Sequence, residues 1–473
     1  MRNLSSRLIA FVAVLSAVSL PARSQTDTTL KLSTTNPAAV AEFRAGVNDY
    51  QNLSFESASA HFKAAITADP RFGLARVLYA GTTFGLDSAQ LDKELSRGVA
   101  DAAHASNKEL ILASGYREAV LGNSDAANAL FRAAMQLMPN DRLVAFAATG
   151  GVFSANLPAA RDLVARYPDY PLGYNSLAYL SWNAGDRAGA LAAAKRQVEL
   201  NPMAPNPHDT YAELLQWTGD LSNAADQYKQ ASMLTPKFPE AYAGLAEVAS
   251  LQGQYDQARS YLNQAIANAW NPQQKLGYMR QVIGTYVLQG ASADILTKQF
   301  DATIAEAKAE KDARTVAILY SQLATVQANS GNANAAHESI ARAKAAGADV
   351  PWNVHYYAAM AHGLMKHWSP AGQELAALKD QAARDESVSR NFLAALEGYQ
   401  LTQQGKPADA LPILMAADTT NLLVMSRIAE AHAALGHAAE AAAWNNRVNA
   451  NYALNLQDFT NVNSRRRARV ATK

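Results

Sequence analysis

Three histidines stand close together in the chain, His355, His362 and His367, with the first pair spaced by two helical turns, so they are the first residues to weigh as metal ligands. The pattern does not complete a site. No pair stands four residues apart with the carboxylate that a metalloprotease helix needs, and His367 falls in the turn after the helix. His432 and His437 flank Gly436 and are no better placed, so these residues are expected to make surface or core polar contacts, with no metal and no other cofactor. Cysteine is absent from all 473 residues, which removes disulfides, thiolate metal sites, thiol catalysis and a lipid-bearing cysteine. Gly150 and Gly151 are not a phosphate loop, because no lysine and hydroxyl pair follows at the required spacing, and no nucleophile elbow is present. The remaining chemistry is aromatic and acidic. Trp182, Trp217 and Glu213 would suit stacking and acid catalysis on a glycan, which keeps a glycan-binding protein or hydrolase as the alternative to a role in binding alone.

The elements that carry these residues repeat. Gly185, Gly219 and Gly253 recur at intervals of 34, as do Ala190, Ala224 and Ala258, and Ala178, Ala212 and Ala246 hold the same spacing twelve residues earlier. Tyr174, Leu177 and Leu180 before the glycine, and Ala190, Leu191, Ala194 and Val198 after it, have helical periodicity, so each unit is predicted to be helix, turn, helix. The alanines belong where helices cross, since a larger side chain would force the axes apart. The glycine permits the left-handed conformation that closes the first helix, Asp186 and Asp220 follow as caps of the second, and Pro202 and Pro236 stop that second helix.

This 34-residue period and these residues resemble tetratricopeptide repeats. Residues 169–175 and 201–214 are also similar to a group of exported bacterial tetratricopeptide proteins with no established enzymatic role. The resemblance implies an all-α fold, a right-handed α-solenoid whose first helices line a concave groove. Carried over position by position, that groove is expected to show Asn175, Tyr179, Trp182 and Asn183, then Asp209, Glu213, Gln216 and Trp217, then Glu240 and Glu247. The expected surface is aromatic and acidic, suited to a basic or amphipathic protein segment. A carboxylate clamp for chaperone tails is not expected, because Tyr179, Glu213 and Glu247 stand where that pattern wants asparagine. The function implied is a non-enzymatic interaction scaffold in the bacterial cell envelope.

Extending the register finds Gly46, Ala58, Phe62, Ala65 and Pro70 near the start, and Gly115, Ala127, Phe131, Ala134 and Pro139 at the same internal spacings. Between them residues 86–106 form a long amphipathic helix, and 144–168 a shortened unit in which Pro158 opens the second helix. Downstream the pattern returns at Tyr320, Ala324, Gly331, Ala336, Ile340 and Ala343, then at Trp368 with Ala371, Gly398 with Gly405 and Ala410, and Ala429 with Gly436 and Ala441. The organisation expected is therefore an array over 39–272, a divergent joint over 273–316 with Gly284 and Gly290 as turns and a charged helix from Phe300 to Arg314, and a second array over 317–455.

The two ends differ from the body. Arg2 and Arg7 precede the apolar run Leu8 to Leu20, and Ala22 and Ser24 offer small residues for cleavage, the pattern of a signal peptide over 1–24, with an uncleaved anchor as the alternative. A periplasmic or secreted protein with no integral span after cleavage is expected. Threonine-rich residues 25–38 have no periodicity and are expected to be mobile. The basic tail 456–473, with Arg465, Arg466, Arg467 and Arg469, is expected to be solvated or else to contact phosphate, acidic lipid or an acidic partner. A hydrophobic share of 49 % calls for a folded body, and a formal net charge of +1 supplies no global field for nucleic acid.

Overall fold

The structure, a computed structural model, describes residues 29–52, 54–83, 86–149, 157–347, 350–385 and 388–472. The signal-peptide pattern and the pair Gly150 and Gly151 lie outside them. Among the described residues the chain forms 25 helices and no strand. It divides into two compact units, residues 1–168 and 169–473. The division falls inside the expected 39–272 array.

In the first unit α1 (Pro37–Gln51) pairs with α2 (Phe55–Ala68), α3 (Gly73–Thr82) with α4 (Ser88–Ala103), and α5 (Asn107–Val120) with α6 (Ser124–Leu137), followed by α7 (Arg142–Ala148) and α8 (Leu157–Arg166). The long helix that broke the period is thus the second member of a pair, opened by an Asp87 and Gln90 capping box. Phe62 and Phe131, each on a second helix, press against the backbone of Gly46 and Gly115 on the first. A Cβ at Gly46 would stand 2.7 Å from the Phe62 ring, so these glycines serve close approach and not turning.

The threonine-rich lead-in is not loose where it is described. The Leu30 amide donates to Asp141 at 3.0 Å, both the amide and hydroxyl of Ser33 donate to the buried Glu109 at 3.0 Å, and Asn36 caps α1. Burial raises the Glu109 carboxyl, and the Ser33 bonds oppose that rise. The segment has no periodicity because it forms no helix, yet its polar groups anchor to helix starts.

The second unit is a stack of eight pairs and one further helix. The pairs are α9 (Pro171–Asn183) with α10 (Arg187–Leu200), α11 (Pro205–Thr218) with α12 (Leu221–Leu234), α13 (Pro239–Leu251) with α14 (Tyr255–Ala267), and α15 (Pro272–Gln289) with α16 (Ala293–Ala309). Then come α17 (Ala313–Asn329) with α18 (Ala333–Ala345), α19 (Trp352–Leu364) with α20 (Trp368–Ala382), α21 (Arg390–Gln403) with α22 (Pro407–Met415), α23 (Leu422–Ala434) with α24 (Ala438–Asn449), and last α25 (Phe459–Ala471). The fold is an all-α solenoid.

The repeat columns do what their chemistry requires. Ala178, Ala212, Ala246, Ala190, Ala224 and Ala258 are all fully buried at the helix crossings. Gly185, Gly219 and Gly253 adopt φ of 85°, 89° and 78°, the left-handed end of a first helix. Asp186 and Asp220 accept hydrogen bonds from the amides of Gly189 and Asn223 as caps of α10 and α12. Prolines 171, 205, 239 and 272 open α9, α11, α13 and α15, where their missing amide hydrogen costs nothing.

Residues 273–316 are no joint. α15 and α16 are longer than their neighbours, and Ile283, Val287, Phe300 and Ile304 enter the largest core cluster of the unit. Gly290 does end a helix in the left-handed region, but Gly284 is mid-helix, and the expected charged helix is split by a left-handed Lys311. Nor is the basic tail a tail. Residues 459–471 form α25, and Arg465 within it is among the largest fully buried side chains of the protein.

Candidate functional site

The ten expected groove residues come from three successive first helices, α9, α11 and α13, and the structure divides them into two sets. Tyr179, Glu213 and Glu247 occupy one column at 34-residue spacing, and the Tyr179 hydroxyl donates to the Glu213 carboxylate at 2.6 Å. Trp217 packs between repeats, its ring 5.2 Å from Trp182 and 6.1 Å from Tyr179. Arg187 lies 3.6 Å over the Trp182 ring, which takes up that face by a cation–π contact. Asp209, Glu240 and Glu247 complete an acidic wall. Three residues serve otherwise: Asn175 is buried and donates to Thr210 at 2.9 Å, Gln216 is buried and bridges Glu247 and Tyr228, and Asn183 is exposed.

The carboxylates of the wall, Asp209, Glu213, Glu240 and Glu247, have no ion-pair partner among the described residues; the neutral partners are Tyr179, Gln216, Gln274 and the Leu456 amide. Burial, followed by the charges of Glu213, Glu240 and Glu247, drives the Asp209 carboxyl well above its ordinary range. Burial also raises Glu213, takes Glu240 to about 7, and takes Glu247 to about 8. A buried oxygen of Glu240 has no hydrogen-bond partner. Near neutral pH the wall holds part of its protons, and an arriving cation would stabilise the ionised form.

The family sequence pattern described as the tetratricopeptide repeat matches residues 218–275, which run from the end of α11 through α12, α13 and α14 to the start of α15. That match agrees with the repeat geometry above. The chain carries tetratricopeptide repeats. Proteins built of such repeats are generally non-catalytic scaffolds for protein interaction. Among solved structures the chain is similar to a thermophilic tetratricopeptide protein of Thermus thermophilus, at 26 % identity over 36 % of this chain and 96 % of that one with a TM-score of 0.32. It is also similar to yeast Tom70, at 12 % identity over 84 % of this chain and 96 % of that one with a TM-score of 0.44. Human IFIT1, solved as a dimer with PPP-AAAA, is 13 % identical over 88 % of this chain and 94 % of that one with a TM-score of 0.41. No curated protein matches the chain.

The acidic wall of the tetratricopeptide array does not stand alone, because the end of the chain lies on the same face. Gln216 of α11 donates to the Tyr452 carbonyl at 3.5 Å, Arg280 of α15 reaches the Gln457 carbonyl at 3.5 Å, and Phe459 packs against Phe300 and Tyr357. Within α25, Arg467 pairs with Glu430 of α23 at 2.8 Å, while Arg469, two residues on, donates to the Leu251 carbonyl of α13 at 3.2 Å. First helices five pairs apart in a flat row would stand about 40–50 Å apart at 8–10 Å per step. Two arginines of one helical turn bridge them, so the face of first helices curls around α25. That face is the concave one.

The contact between segment and wall is close. The Tyr452 ring would stand 2.8 Å from a Cβ at Gly219, and the Leu456 carbonyl oxygen fills the space beside Gly284. Arg465 donates to the Asn451 carbonyl, and its charge acts on Glu247 without forming a direct pair. Burial and the charge of Arg469 pull Arg465 down to about 10. A cavity of about 370 Å³ remains beside α25, with Tyr356, Tyr399, Phe459 and Arg466 among its lining residues.

The histidines are also rearranged relative to expectation. His355 donates from Nδ1 to the Glu374 carboxylate at 2.7 Å and belongs to a pair with it. His362 and His367 instead meet His337 of α18, which sequence spacing alone did not single out. No described helix is long and apolar enough to cross a membrane.

Proposed function

We propose that this tetratricopeptide protein is a non-enzymatic scaffold of the bacterial cell envelope, whose wall of Tyr179, Asp209, Glu213, Glu240 and Glu247 receives a basic or amphipathic segment of a partner protein. The observation that supports this most is the set of four half-buried carboxylates with raised pKa and no paired cation among the described residues. Clustering like charge under partial burial is unfavourable to the free protein, and a lysine or arginine from a partner would relieve it. The concave position beside α25 means that the partner segment docks along a groove whose other part is filled from within. The leader-like pattern of residues 1–24 supports export, although those residues lie outside the described structure. A glycan platform is less well supported, because Arg187 covers the Trp182 ring.

The test is a titration of the full chain with a basic amphipathic peptide and its acidic counterpart. Binding is expected for the basic peptide alone, weakened by about 10-fold or more in Glu213→Gln with Glu247→Gln, since charge-paired contacts of this kind carry roughly 1.5 kcal/mol or more. Affinity should rise from pH 6 to pH 9, because the bound cation favours carboxylates that deprotonate near 7 and 8. Equal binding of both peptides, or indifference to the double substitution, would remove the proposal.

A further inference from the structure

Apart from the groove, the second unit gathers three imidazoles on the side of two adjacent helix pairs. His337 lies in the first half of α18, His362 near the end of α19, and His367 at the cap position of α20. The turn between α19 and α20 is tied by a hydrogen bond from the His367 amide to the His362 carbonyl at 2.8 Å, which holds these two residues on one side of the chain reversal. Stacking of the α17 and α18 pair on the α19 and α20 pair brings His337 against both. Its ring is stacked on His367 at 5.3 Å with planes 10° apart, and lies 5.4 Å from His362. One nitrogen from each of the three lies within 4.8 Å of the other two.

Packing alone leaves one feature of this cluster unexplained. His362 is buried, and its Nδ1 has no hydrogen-bond partner among the described residues. Buried polar atoms are almost always satisfied, and an imidazole nitrogen left over beside two other imidazoles is what a metal ion would use. We propose that His337, His362 and His367 form a binding site for one divalent transition-metal ion of the zinc class, with a remaining coordination position open to water. The donor set decides the class of metal. Three neutral nitrogens with no thiolate suit zinc, cobalt, nickel or copper, whereas calcium and magnesium require oxygen ligands.

The geometry needs only local adjustment. Nitrogens around a tetrahedral zinc at 2.0–2.1 Å stand about 3.4 Å apart, so the present separations must shorten by up to about 1.5 Å. His337 and His367 are exposed and can turn, while the buried His362 supplies the fixed ligand. Bound there, the ion would link α18 to the turn between α19 and α20 and so join two successive repeats, binding the folded state alone.

The test uses the untagged full chain stripped of metal, titrated with cobalt and then with zinc, with cobalt's visible absorption reporting a tetrahedral nitrogen site. One ion per chain is expected, and His337→Ala and His367→Ala should each weaken binding by about 10-fold or more, as loss of one ligand in three requires. Both positions are exposed, so circular dichroism should find the fold intact in these variants. His432 and His437, whose Nδ1 atoms stand 3.4 Å apart on the surface, supply the control, and their double replacement by alanine should leave the affinity unchanged. Absence of binding, binding that survives replacement of both His337 and His367, or binding that follows His432 and His437 would each overturn the assignment.

Discussion

Buried charge occurs at two places on the concave face of the second unit, and the two are built in opposite ways. At α23 and α25 the Arg427 guanidinium, only 4 % exposed, pairs with Glu430 at 2.6 Å, and Arg467 pairs with the same carboxylate at 2.8 Å. Burial alone would raise Glu430, yet the charges of Arg427 and Arg467 outweigh it and hold the carboxyl below its ordinary value. At α11 and α13 the burial is similar in kind but the charges are alike, and every carboxyl moves up. The first arrangement is an internal fastening for α25. The second has no cation in direct contact, only the more distant charge of Arg465 on Glu247, and that distinguishes a candidate binding wall from a buried ion network better than burial or residue type does.

The largest effect should come from breaking the compensated site. Glu430→Gln leaves Arg427 and Arg467 facing each other with no anion between them. Because Glu430 keeps about a quarter of its side chain in solvent, the loss is set at about 2–4 kcal/mol, below that of a fully buried pair. All six tryptophans lie within residues 169–473, so urea unfolding followed by tryptophan fluorescence reads the second unit by itself. A change under about 0.5 kcal/mol, the level of an ordinary surface substitution, would mean that the network does not fasten α25.

A smaller effect should follow from forcing the segment off the face without touching a charge. Gly284→Ala puts a methyl group against the Leu456 carbonyl oxygen, a backbone atom that cannot rotate away, and overpacking of this kind costs about 1–3 kcal/mol. The expected readout is faster hydrogen exchange and proteolysis around residues 452–458. Exchange unchanged from the parent chain would show that segment and wall are not packed as described.

The repeat itself was legible because it is local. Glycine, alanine and aspartate columns at 34-residue spacing each answer to a requirement within one hairpin or between neighbours, so Gly219 with its left-handed φ and Asp220 with its cap could be read directly from the sequence. The acidic column Glu213 and Glu247 was legible for the same reason. The destination of α25 was not: the Arg469 contact with Leu251 spans 218 residues, and a helix outside the period carries no mark of the face on which it packs. Its four arginines suggested solvent, since the Glu430 carboxylate and the Leu251 carbonyl that receive Arg467 and Arg469 lie on other repeats. Similarly, the threonine-rich stretch near residue 30 gave no sign that Asp141 and Glu109 would receive the amides of Leu30 and Ser33. His337 was missed because it precedes His362 by one repeat boundary, although the 34-residue register places the middle of one second helix beside the next inter-helix turn.

The smallest effect is expected at acid pH, and its growth with pH is the most telling for the unpaired wall. Burial raises the Glu247 carboxyl from 4.5 to about 8, so near pH 4 it is protonated in the folded state and largely so in the unfolded one, and Glu247→Gln is nearly isosteric and isoelectronic with it. Stability at pH 4 should therefore change by less than about 0.5 kcal/mol. For a carboxyl whose folded pKa is raised, the folded state binds more protons than the unfolded state between the two values, so stability falls as pH rises across that window. The parent chain should lose stability from pH 5 to pH 9, most steeply between about pH 5 and pH 7 and levelling off above 8, and Glu247→Gln should be flatter and the more stable of the two at pH 7 and at pH 9. Parallel curves for the two proteins would mean that Glu247 titrates as a solvated side chain, and the contrast between the two charged sites would then be one of distance from solvent alone.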